Sequence, residues 1–301
     1  MQRKEVKEPE EAKEAKEAKD EDARVAAFFD LDGTLMARPS MEKRFFKMLR
    51  YRRLVGIRNY FWWLLEAVRL APRGVNQIMH ANKMYLWGVR VDEACCGTDI
   101  RARLRARNKA GKNGERRRQA RMPVPPFYPE AIERVMWHAE RGHGIVLVSG
   151  TLEPLAKKAA LDLEEELAWR GINASIEICA TRLETIEGRW TGRIIGEAMF
   201  GEAKARAMQR FAAASEIEPS RCFAYGDSAN DRWMLEAVGR PTAVNPSSDL
   251  ARIAARNGWP VLRWNGGRIS MPSSQCSQKT PNAKAIRKEV ETSTARPEDW
   301  S

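Results

Sequence analysis

Residues 25–35 read VAAFFDLDGTL, and this stretch decides how the rest of the chain is interpreted. Its first part, Val25–Asp30, is a short apolar run that ends in a carboxylate, which is typical of a buried strand. A second carboxylate, Asp32, follows in the turn after it. Two later apolar runs, Gly144–Ser149 and Cys222–Tyr225, also lead into polar residues. The sequence therefore predicts buried strands whose ends carry functional side chains.

Strand-like and helix-like segments alternate after residue 128. The other predicted strands are Ala174–Cys179, Thr242–Val244 and Pro260–Leu262, with a hairpin over 181–196 that turns at Glu187-Gly188. The predicted helices are Pro129–Arg141, Glu153–Trp169, Gly201–Ala213, Asn230–Val238 and Asp249–Arg256. Such alternation is typical of an α/β fold with a doubly wound parallel sheet.

The charge of the chain is concentrated in one segment. The 301 residues carry a net charge of +12, whereas residues 37–127 hold 22 Lys+Arg and 6 Asp+Glu, or 22 − 6 = +16. We expect this segment to be a helical basic cap and linker: helical over 40–95, an exposed helix end and loop over 99–122, and a proline linker over 123–129. It interrupts a catalytic core formed by 25–36 and 128–265.

The two ends of the chain have a different composition from the middle. Residues 1–24 contain the repeat EAKEAKEAK with no apolar face, and 266–301 are rich in Ser, Thr, Lys, Gln and Pro. Neither composition can bury enough apolar surface to form a core. We expect a disordered charged arm and a disordered tail.

Three carboxylates are predicted to meet at one edge of the sheet. In doubly wound sheets ligands bind beyond the carboxyl ends of the strands, where Asp30, Asp32 and Asp227 all lie. Carboxylates this close repel one another unless a cation separates them, and Mg²⁺ suits such a site because it binds few carboxylates and bridges to phosphate. With Ser149 and Lys204 nearby, the set suits a phosphoryl group, and a carboxylate beside it could form an aspartyl-phosphate.

Four segments resemble the motifs of the haloacid dehalogenase (HAD) superfamily of hydrolases. They are D-x-D-G-T at Asp30–Thr34, the strand-end Ser149, Lys204, and G-D-S-x-x-D at Gly226–Asp231. The position of the insert resembles the phosphoserine-phosphatase-like branch, subfamily IB type, which has a helical cap between the first two motifs. The resemblance covers roughly residues 25–264, and four motifs in order are far more specific than one.

The resemblance implies a role for each matching residue in the reaction. Asp30 would be the nucleophile that accepts the phosphoryl group, and Asp32 would protonate the leaving oxygen and then deprotonate water. Lys204 would balance the charge of Asp30 and the phosphoryl group. Ser149 and the amide of Gly150 would hold phosphate oxygens.

The resemblance also implies a metal site and its supports. Asp30, the backbone carbonyl of Asp32, and Asp227 would hold Mg²⁺. The supporting positions are Asp231, which would orient water or Lys204, together with Gly226 and Thr34. The resemblance thus predicts a Mg²⁺-dependent phosphomonoester phosphatase, and together with the basic cap it predicts a small-molecule or lipid phosphate as substrate.

One part of the sequence departs from the phosphoserine phosphatase pattern. In that family a Glu soon after the first motif recognises the amino group of the substrate. Here the comparable place reads M-A-R-P-S, with Arg38 and Pro39 and no acid before Glu42. The resemblance therefore implies phosphatase chemistry but not recognition of free phosphoserine.

The basic cap leaves several functions open. It could attract an anionic substrate, dock on an anionic membrane, bind nucleic acid through 99–122, or be a basic loop with no partner. Nucleic acid is not favoured, and no oligomeric state is indicated. An alternative function is a membrane- or nucleic-acid-binding module on an inactive scaffold, although a scaffold would not need both Asp30 and Asp32.

The remaining features point to the cytoplasm. The five cysteines include no C-x-x-C pair, so neither a disulfide framework nor a zinc site is suggested. The apolar run 60–71 is too short to span a bilayer, and no signal peptide is expected. We predict a cytoplasmic protein, with peripheral membrane association as the alternative. Three further interpretations are that the histidines are structural or surface residues, that Thr151 caps the helix at Glu153, and that Trp62-Trp63 packs between cap helices.

Overall fold

The computed structural model describes residues 25–95 and 126–265. The predicted arm over 1–24, the basic loop over 99–122 and the tail over 266–301 lie outside these ranges. Every structural statement below concerns the described residues.

The described residues form a parallel sheet with helices on both faces. The strands are β1 (Ala26–Phe29), β2 (Gly144–Leu152), β3 (Ile176–Thr181), β4 (Leu183–Ile186), β5 (Arg189–Ile194), β6 (Phe223–Gly226), β7 (Arg240–Val244) and β8 (Val261–Leu262). Six of them form one sheet in the order β3-β2-β1-β6-β7-β8, with every neighbouring pair parallel. The predicted doubly wound parallel sheet is confirmed.

The helices divide between the inserted cap and the layers beside the sheet. The cap helices are α1 (Met41–Tyr51), α2 (Ile57–Leu70), α3 (Val75–Ala81) and α4 (Val91–Cys95), with 3₁₀ turns at Ala71–Arg73 and Met84–Leu86. The other helices are α5 (Pro129–Ala139), α6 (Glu153–Trp169), α7 (Glu202–Ala214), α8 (Arg232–Glu236) and α9 (Ser248–Asn257), with 3₁₀ turns at Pro219–Arg221 and Ala229–Asp231.

The short strand β1 lies at the centre because both of its faces are apolar. Its side chains alternate, so Ala27 and Phe29 join one buried layer while Ala26 and Phe28 join the other. A strand buried on both faces reads as a continuous apolar run, which is what the sequence shows here. The Phe29 ring stacks on Tyr225 of β6 with the ring centroids 4.5 Å apart.

The chain reverses its direction of travel across the sheet between β1 and β6. From β1 it proceeds through β2 to β3, and it then returns to β6 on the other side of β1 before continuing to β8. Such a switch point opens a crevice beyond the carboxyl ends of the two adjacent strands. Asp30 follows β1 and Asp227 follows β6, so the topology places both carboxylates at this crevice.

The cap is joined to the body by its first helix and by a hairpin. Helix α1 buries an apolar side that includes Phe45, whose ring meets Trp190 of β5 edge-on. The backbone of β5 also bonds to the cap, because Gly88 N donates to Trp190 O at 2.8 Å and Trp190 N donates to Val89 O at 3.0 Å. The predicted hairpin therefore exists, and it extends the cap rather than the main sheet.

Two local predictions were wrong in detail. The helix expected over 230–238 is a 3₁₀ turn followed by the short α8, because Asp231 bonds back to Ser228 and tightens the first turn. Thr151 does not cap α6, since β2 continues to Leu152 and that residue is the N-cap without a side-chain bond.

Candidate active site

Asp30 is held at the end of β1 by three contacts. Lys204 Nζ, from the first turn of α7, lies 2.6 Å from Asp30 Oδ1. Thr34 donates its hydroxyl to Asp30 Oδ2 at 3.2 Å, and the Asp30 backbone N–H donates to Tyr225 O at 2.9 Å. The carboxylate is therefore fixed, buried and paired with a cation.

Asp231 is the second buried partner of Lys204. Lys204 Nζ lies 2.6 Å from Asp231 Oδ1, while Asp231 Oδ2 accepts the backbone N–H and the hydroxyl of Ser228 at 2.9 and 2.8 Å. Gly226 makes room for this loop, because a Cβ there would lie 2.5 Å from Asp231 Cβ. The structure thus explains why the motif needs glycine at this position.

Asp227 faces the first motif from the end of β6. It accepts a hydrogen bond from the guanidinium of Arg38, whose side chain is largely exposed. Gly33 has a φ of +102°, and a Cβ there would lie 2.1 Å from Asp227 Oδ2. Only glycine combines that backbone conformation with so close an approach.

The carboxylates form a cluster that fits a divalent cation. Carboxylate oxygens of Asp30, Asp227 and Asp231 lie within 4.8 Å of one another, and all three residues are buried. Together with Asp32 the site holds four carboxylates against Lys204 and Arg38, so fully ionised it carries −4 + 2 = −2. Oxygen donors with this excess of negative charge suit a hard cation of charge +2. Asp231, assigned a supporting role from the sequence, joins this cluster by its side chain, whereas the carboxylate of Asp32 does not.

Burial raises the pKa of three of these carboxyl groups. The pKa of Asp30 rises to about 7, mainly by burial, and Lys204 only partly offsets this. The pKa of Asp32 also rises to about 7, again mainly by burial. Burial and repulsion from Asp231 raise the pKa of Asp227 to about 6, against the opposing effect of Arg38. The cluster therefore disfavours full ionisation at neutral pH until another cation joins it.

Lys204 and Asp231 differ from these carboxyl groups, because their pKa values shift so as to favour the charged forms. Burial alone would lower the pKa of Lys204, but the charges of Asp231 and Asp30 outweigh it and raise that pKa. Burial would raise the pKa of Asp231, yet Lys204 and the bonds from Ser228 hold it below its ordinary value. This pair stays ionised while the neighbouring carboxyls titrate.

Asp32 and the second motif lie at the same edge of the sheet. Asp32 Oδ1 accepts the N–H of Met41, the first residue of α1, at 2.8 Å, so this carboxylate links the body to the cap. Phe29 pairs with Leu147, which places Ser149 two residues further along the strand next to β1. The Ser149 hydroxyl is buried and accepts the Thr151 N–H at 3.2 Å. The phosphate-binding roles of Ser149 and Gly150 stay predictions.

The structure adds residues that the sequence analysis did not place in the site. Arg38 was noted as a departure from a family pattern, and it proves to contact Asp227. Glu42 binds Lys83 Nζ at 2.6 and 2.7 Å and accepts the Tyr85 hydroxyl at 2.7 Å. No spacing in the sequence links Glu42 to residues 83 and 85, because two separate parts of the cap bring them together.

The predicted structural role of two histidines is confirmed. His138 and His143 are buried with their Nδ1 atoms 2.8 Å apart, and His138 Nε2 lies 2.9 Å from the Tyr225 hydroxyl. His80 differs, because it lies in the cap and stacks on Phe200 with the ring centroids 4.9 Å apart.

A groove of about 960 Å³ lies between the cap and the body. Its walls include Trp62 of α2 and Trp233 of α8, and Arg73 and Arg193 are among its basic residues. Asn230, the residue before Asp231, also lines it. Trp62 packs against Trp87, with the ring centroids 5.5 Å apart, as predicted for a residue between cap elements. It also faces the open groove, which was not predicted.

Comparison with known proteins agrees with the geometry. The model of the haloacid dehalogenase-like hydrolase family matches residues 27–236, which include all four motifs. A "Probable phosphatase" of Mycobacterium tuberculosis is 30% identical over 263 residues, covering 84% of this chain and 81% of the relative. The "Phosphoserine phosphatase SerB1" of the same species is 29% identical over 269 residues, 84% of this chain and 76% of the relative.

A solved structure gives the same fold. A Bordetella pertussis protein of unknown function is 26% identical, with a TM-score of 0.52 over 79% of this chain and 98% of that protein. The motifs, the switch-point topology and the family match all agree. The chain therefore belongs to the haloacid dehalogenase-like hydrolases, as a phosphoserine-phosphatase-like phosphatase of that family.

Proposed function

We propose that this protein is a Mg²⁺-dependent phosphomonoesterase that works through an aspartyl-phosphate on Asp30. One observation carries the proposal. Asp30 lies at the switch point with Lys204 Nζ at 2.6 Å, inside a cluster of buried carboxylates with an excess of negative charge. A nucleophilic carboxylate beside a fixed cation is what in-line phosphoryl transfer requires.

The first step transfers the phosphoryl group to Asp30. A carboxylate oxygen of Asp30 attacks phosphorus, and the bond from phosphorus to the ester oxygen breaks with its electron pair going to that oxygen. Asp32, as the carboxylic acid, donates its proton to the departing oxygen. A pKa of about 7 means that Asp32 is available as an acid near neutral pH.

The second step returns the enzyme to its starting state. Asp32, now a carboxylate, takes a proton from a water molecule that attacks phosphorus. The bond from phosphorus to the Asp30 oxygen breaks, which releases inorganic phosphate and restores the Asp30 carboxylate. Lys204 stays protonated throughout, because Asp231 and Asp30 raise its pKa.

The residues that would hold Mg²⁺ are Asp30 and Asp227, with the Asp32 carbonyl as a third ligand and Asp231 close by. A bound Mg²⁺ would neutralise the excess charge, keep Asp30 ionised and offset the charge of the phosphoryl oxygens. Support comes from the clustered carboxylate oxygens and from the raised pKa values of Asp30 and Asp227.

The substrate is proposed to be a small-molecule or lipid phosphomonoester whose remaining part enters the groove beside Asn230. Its tryptophans suit an apolar group and its arginines suit an anionic one. A relative is named a phosphoserine phosphatase, but here Glu42 is already neutralised by the buried Lys83, which argues against recognition of a substrate amino group. We place the reaction in the cytoplasm, where Cys179 and Cys222 would remain thiols.

Hydrolysis of p-nitrophenyl phosphate tests the proposal. Asp30→Asn should lose at least about a thousandfold in kcat/KM, because its amide cannot act as the nucleophile. Asp92→Asn is the matched control, since Asp92 is exposed on the cap and bound to Arg90. EDTA should abolish wild-type activity and Mg²⁺ should restore it. Full activity of Asp30→Asn, or activity unaffected by EDTA, would refute the mechanism.

A further inference from the structure

The second cap helix carries an apolar stripe that faces solvent. Ile57, Phe61, Leu64 and Val68 are 87%, 58%, 58% and 67% exposed. Their spacing of four, three and four residues places all four on one side of α2. Asn59 and Leu70 are buried on the opposite side of the helix, and Ala67 is buried on one flank. The helix thus packs its inner side against other parts of the cap, such as the 3₁₀ turn at Met84–Leu86, and leaves its apolar stripe uncovered.

The neighbouring helix also exposes apolar side chains. On α3, Val75 and Met79 are exposed, and they are spaced four residues apart. On the flank of the stripe, Leu65 is exposed and lines the groove beside the active site. Protein surfaces seldom present so many adjacent large apolar side chains unless they bind something.

The segment of the cap that carries the stripe is strongly basic. Residues 41–73 contain nine Lys and Arg and two Glu, a difference of 9 − 2 = +7. Both acids are engaged, because Glu42 binds Lys83 and Glu66 binds Arg69. Lys43, Lys47, Arg50, Arg53, Arg58 and Arg73 are exposed. Exposed apolar side chains on a segment with many exposed cations complement a partner that has negative charges on its outside and an apolar interior.

We propose that α2 docks in the headgroup region of an anionic lipid bilayer, with its apolar stripe inserted and the surrounding Lys and Arg against the headgroups. None of the described helices is long and apolar enough to cross a bilayer, so α2 would lie along the surface. A second copy of the chain is disfavoured, because it would bring two basic surfaces together. Nucleic acid is disfavoured, because phosphates offer nothing to Ile57, Leu64 and Val68.

Docking would place the groove next to the membrane surface, since Leu65 lies on the flank of the stripe and also lines the groove. That consequence rests on the proposed phosphatase function, whereas docking itself does not. Binding and turnover can therefore fail separately, and they are measured separately.

The test is sedimentation of the full chain with vesicles. Vesicles of phosphatidylcholine alone are compared with vesicles that also contain phosphatidylglycerol, at low and at high salt. We expect binding to the anionic vesicles that weakens as salt is raised, because the electrostatic attraction is screened. Binding to neutral vesicles should be much weaker.

A matched pair of double variants locates the contact. Phe61→Ser with Leu64→Ser removes apolar surface from the stripe, and Trp169→Ser with Ile186→Ser removes exposed apolar surface from α6 and β4. We expect the first pair to weaken vesicle binding at least about tenfold and the second to leave it unchanged. Circular dichroism and hydrolysis of p-nitrophenyl phosphate should be unchanged in both.

Three results would overturn the proposal. The first is no binding to anionic vesicles at low salt. The second is binding that survives in the Phe61→Ser, Leu64→Ser variant, which would assign the contact to another basic part of the chain. The third is a wild-type dimer in sedimentation velocity that the same variant abolishes, which would make the stripe a subunit interface.

Discussion

Replacing Asp227 with Asn should stabilise the metal-free protein while removing its response to Mg²⁺. The carboxylate of Asp227 is buried beside Asp231 and Asp30, and burial is the main reason why its pKa is raised. Its ionised form therefore costs folding free energy when no metal is bound. Asn has nearly the same shape without the charge, so it removes that cost along with a proposed ligand.

The magnitude follows from the pKa. The pKa of Asp227 rises from 3.8 to about 6, a value that already includes the opposing effect of Arg38. Each tenfold change in proton affinity corresponds to about 1.4 kcal/mol, so the ionised form costs about 3 kcal/mol at pH 8. For a domain of this size such a gain raises Tm by about 6–12 °C. The gain should shrink towards pH 5, where the folded protein already binds the proton.

The assay is thermal unfolding in EDTA and in excess Mg²⁺ at pH 8 and pH 5. At pH 8, Mg²⁺ should raise the Tm of the wild-type protein. Asp227→Asn should have a higher Tm than wild type in EDTA, and Mg²⁺ should raise it hardly at all. Asp92→Asn should match wild-type protein within about 2 °C, because this exposed group contributes little. An Asp227→Asn protein that is less stable than wild type in EDTA would show that the ionised Asp227 carboxylate does not destabilise the metal-free fold, and one that keeps the full Mg²⁺ response would show that Asp227 is not a ligand.

Three other predictions concern the same site. Without metal, stability should fall as pH rises from about 4 to about 7, since the pKa values of Asp30 and Asp32 are raised in the folded state, which keeps protons that the unfolded state releases; urea unfolding in EDTA measures this. Gly33→Ala should lower the free energy of unfolding by about 1–2 kcal/mol or more and should also abolish the response to Mg²⁺. Gly171 is also at positive φ but has open space around it, so Gly171→Ala should lower only the free energy of unfolding. Lys204→Met should destabilise the protein by about 3–5 kcal/mol at pH 8 in chemical unfolding, because it leaves buried carboxylates unpaired; no loss would contradict the proposed ion network.

Much of the fold could be predicted from the sequence because its signals are local. The apolar run before Asp30 and the one before Gly226 each mark a buried strand, and helical segments separate them, so a parallel sheet follows. The order of the motifs then indicates which strand ends meet. Boundaries were less accurate, as at Thr151, where the strand predicted to end at Ser149 continues through a position expected to cap the following helix.

The rest of the site depends on contacts between distant parts of the chain. Arg38 reaches Asp227 across a separation of 189 residues, and Lys83 reaches Glu42 across two intervening cap helices. Nothing in local composition selects these partners from the many basic residues of the cap. The exposed side of α2 is similar, because the sequence shows its apolar residues but not which of its sides the rest of the cap leaves uncovered.

In the proposed mechanism Asp30 carries the phosphoryl group during turnover. The most direct measurement of this is mass spectrometry of peptides from enzyme that has been quenched in acid during hydrolysis of p-nitrophenyl phosphate with Mg²⁺. We predict one added phosphoryl group on the peptide that contains Asp30, and none in Asp30→Asn or without substrate. An active enzyme whose Asp30 peptide never gains that mass, or gains it at another residue, would contradict the account.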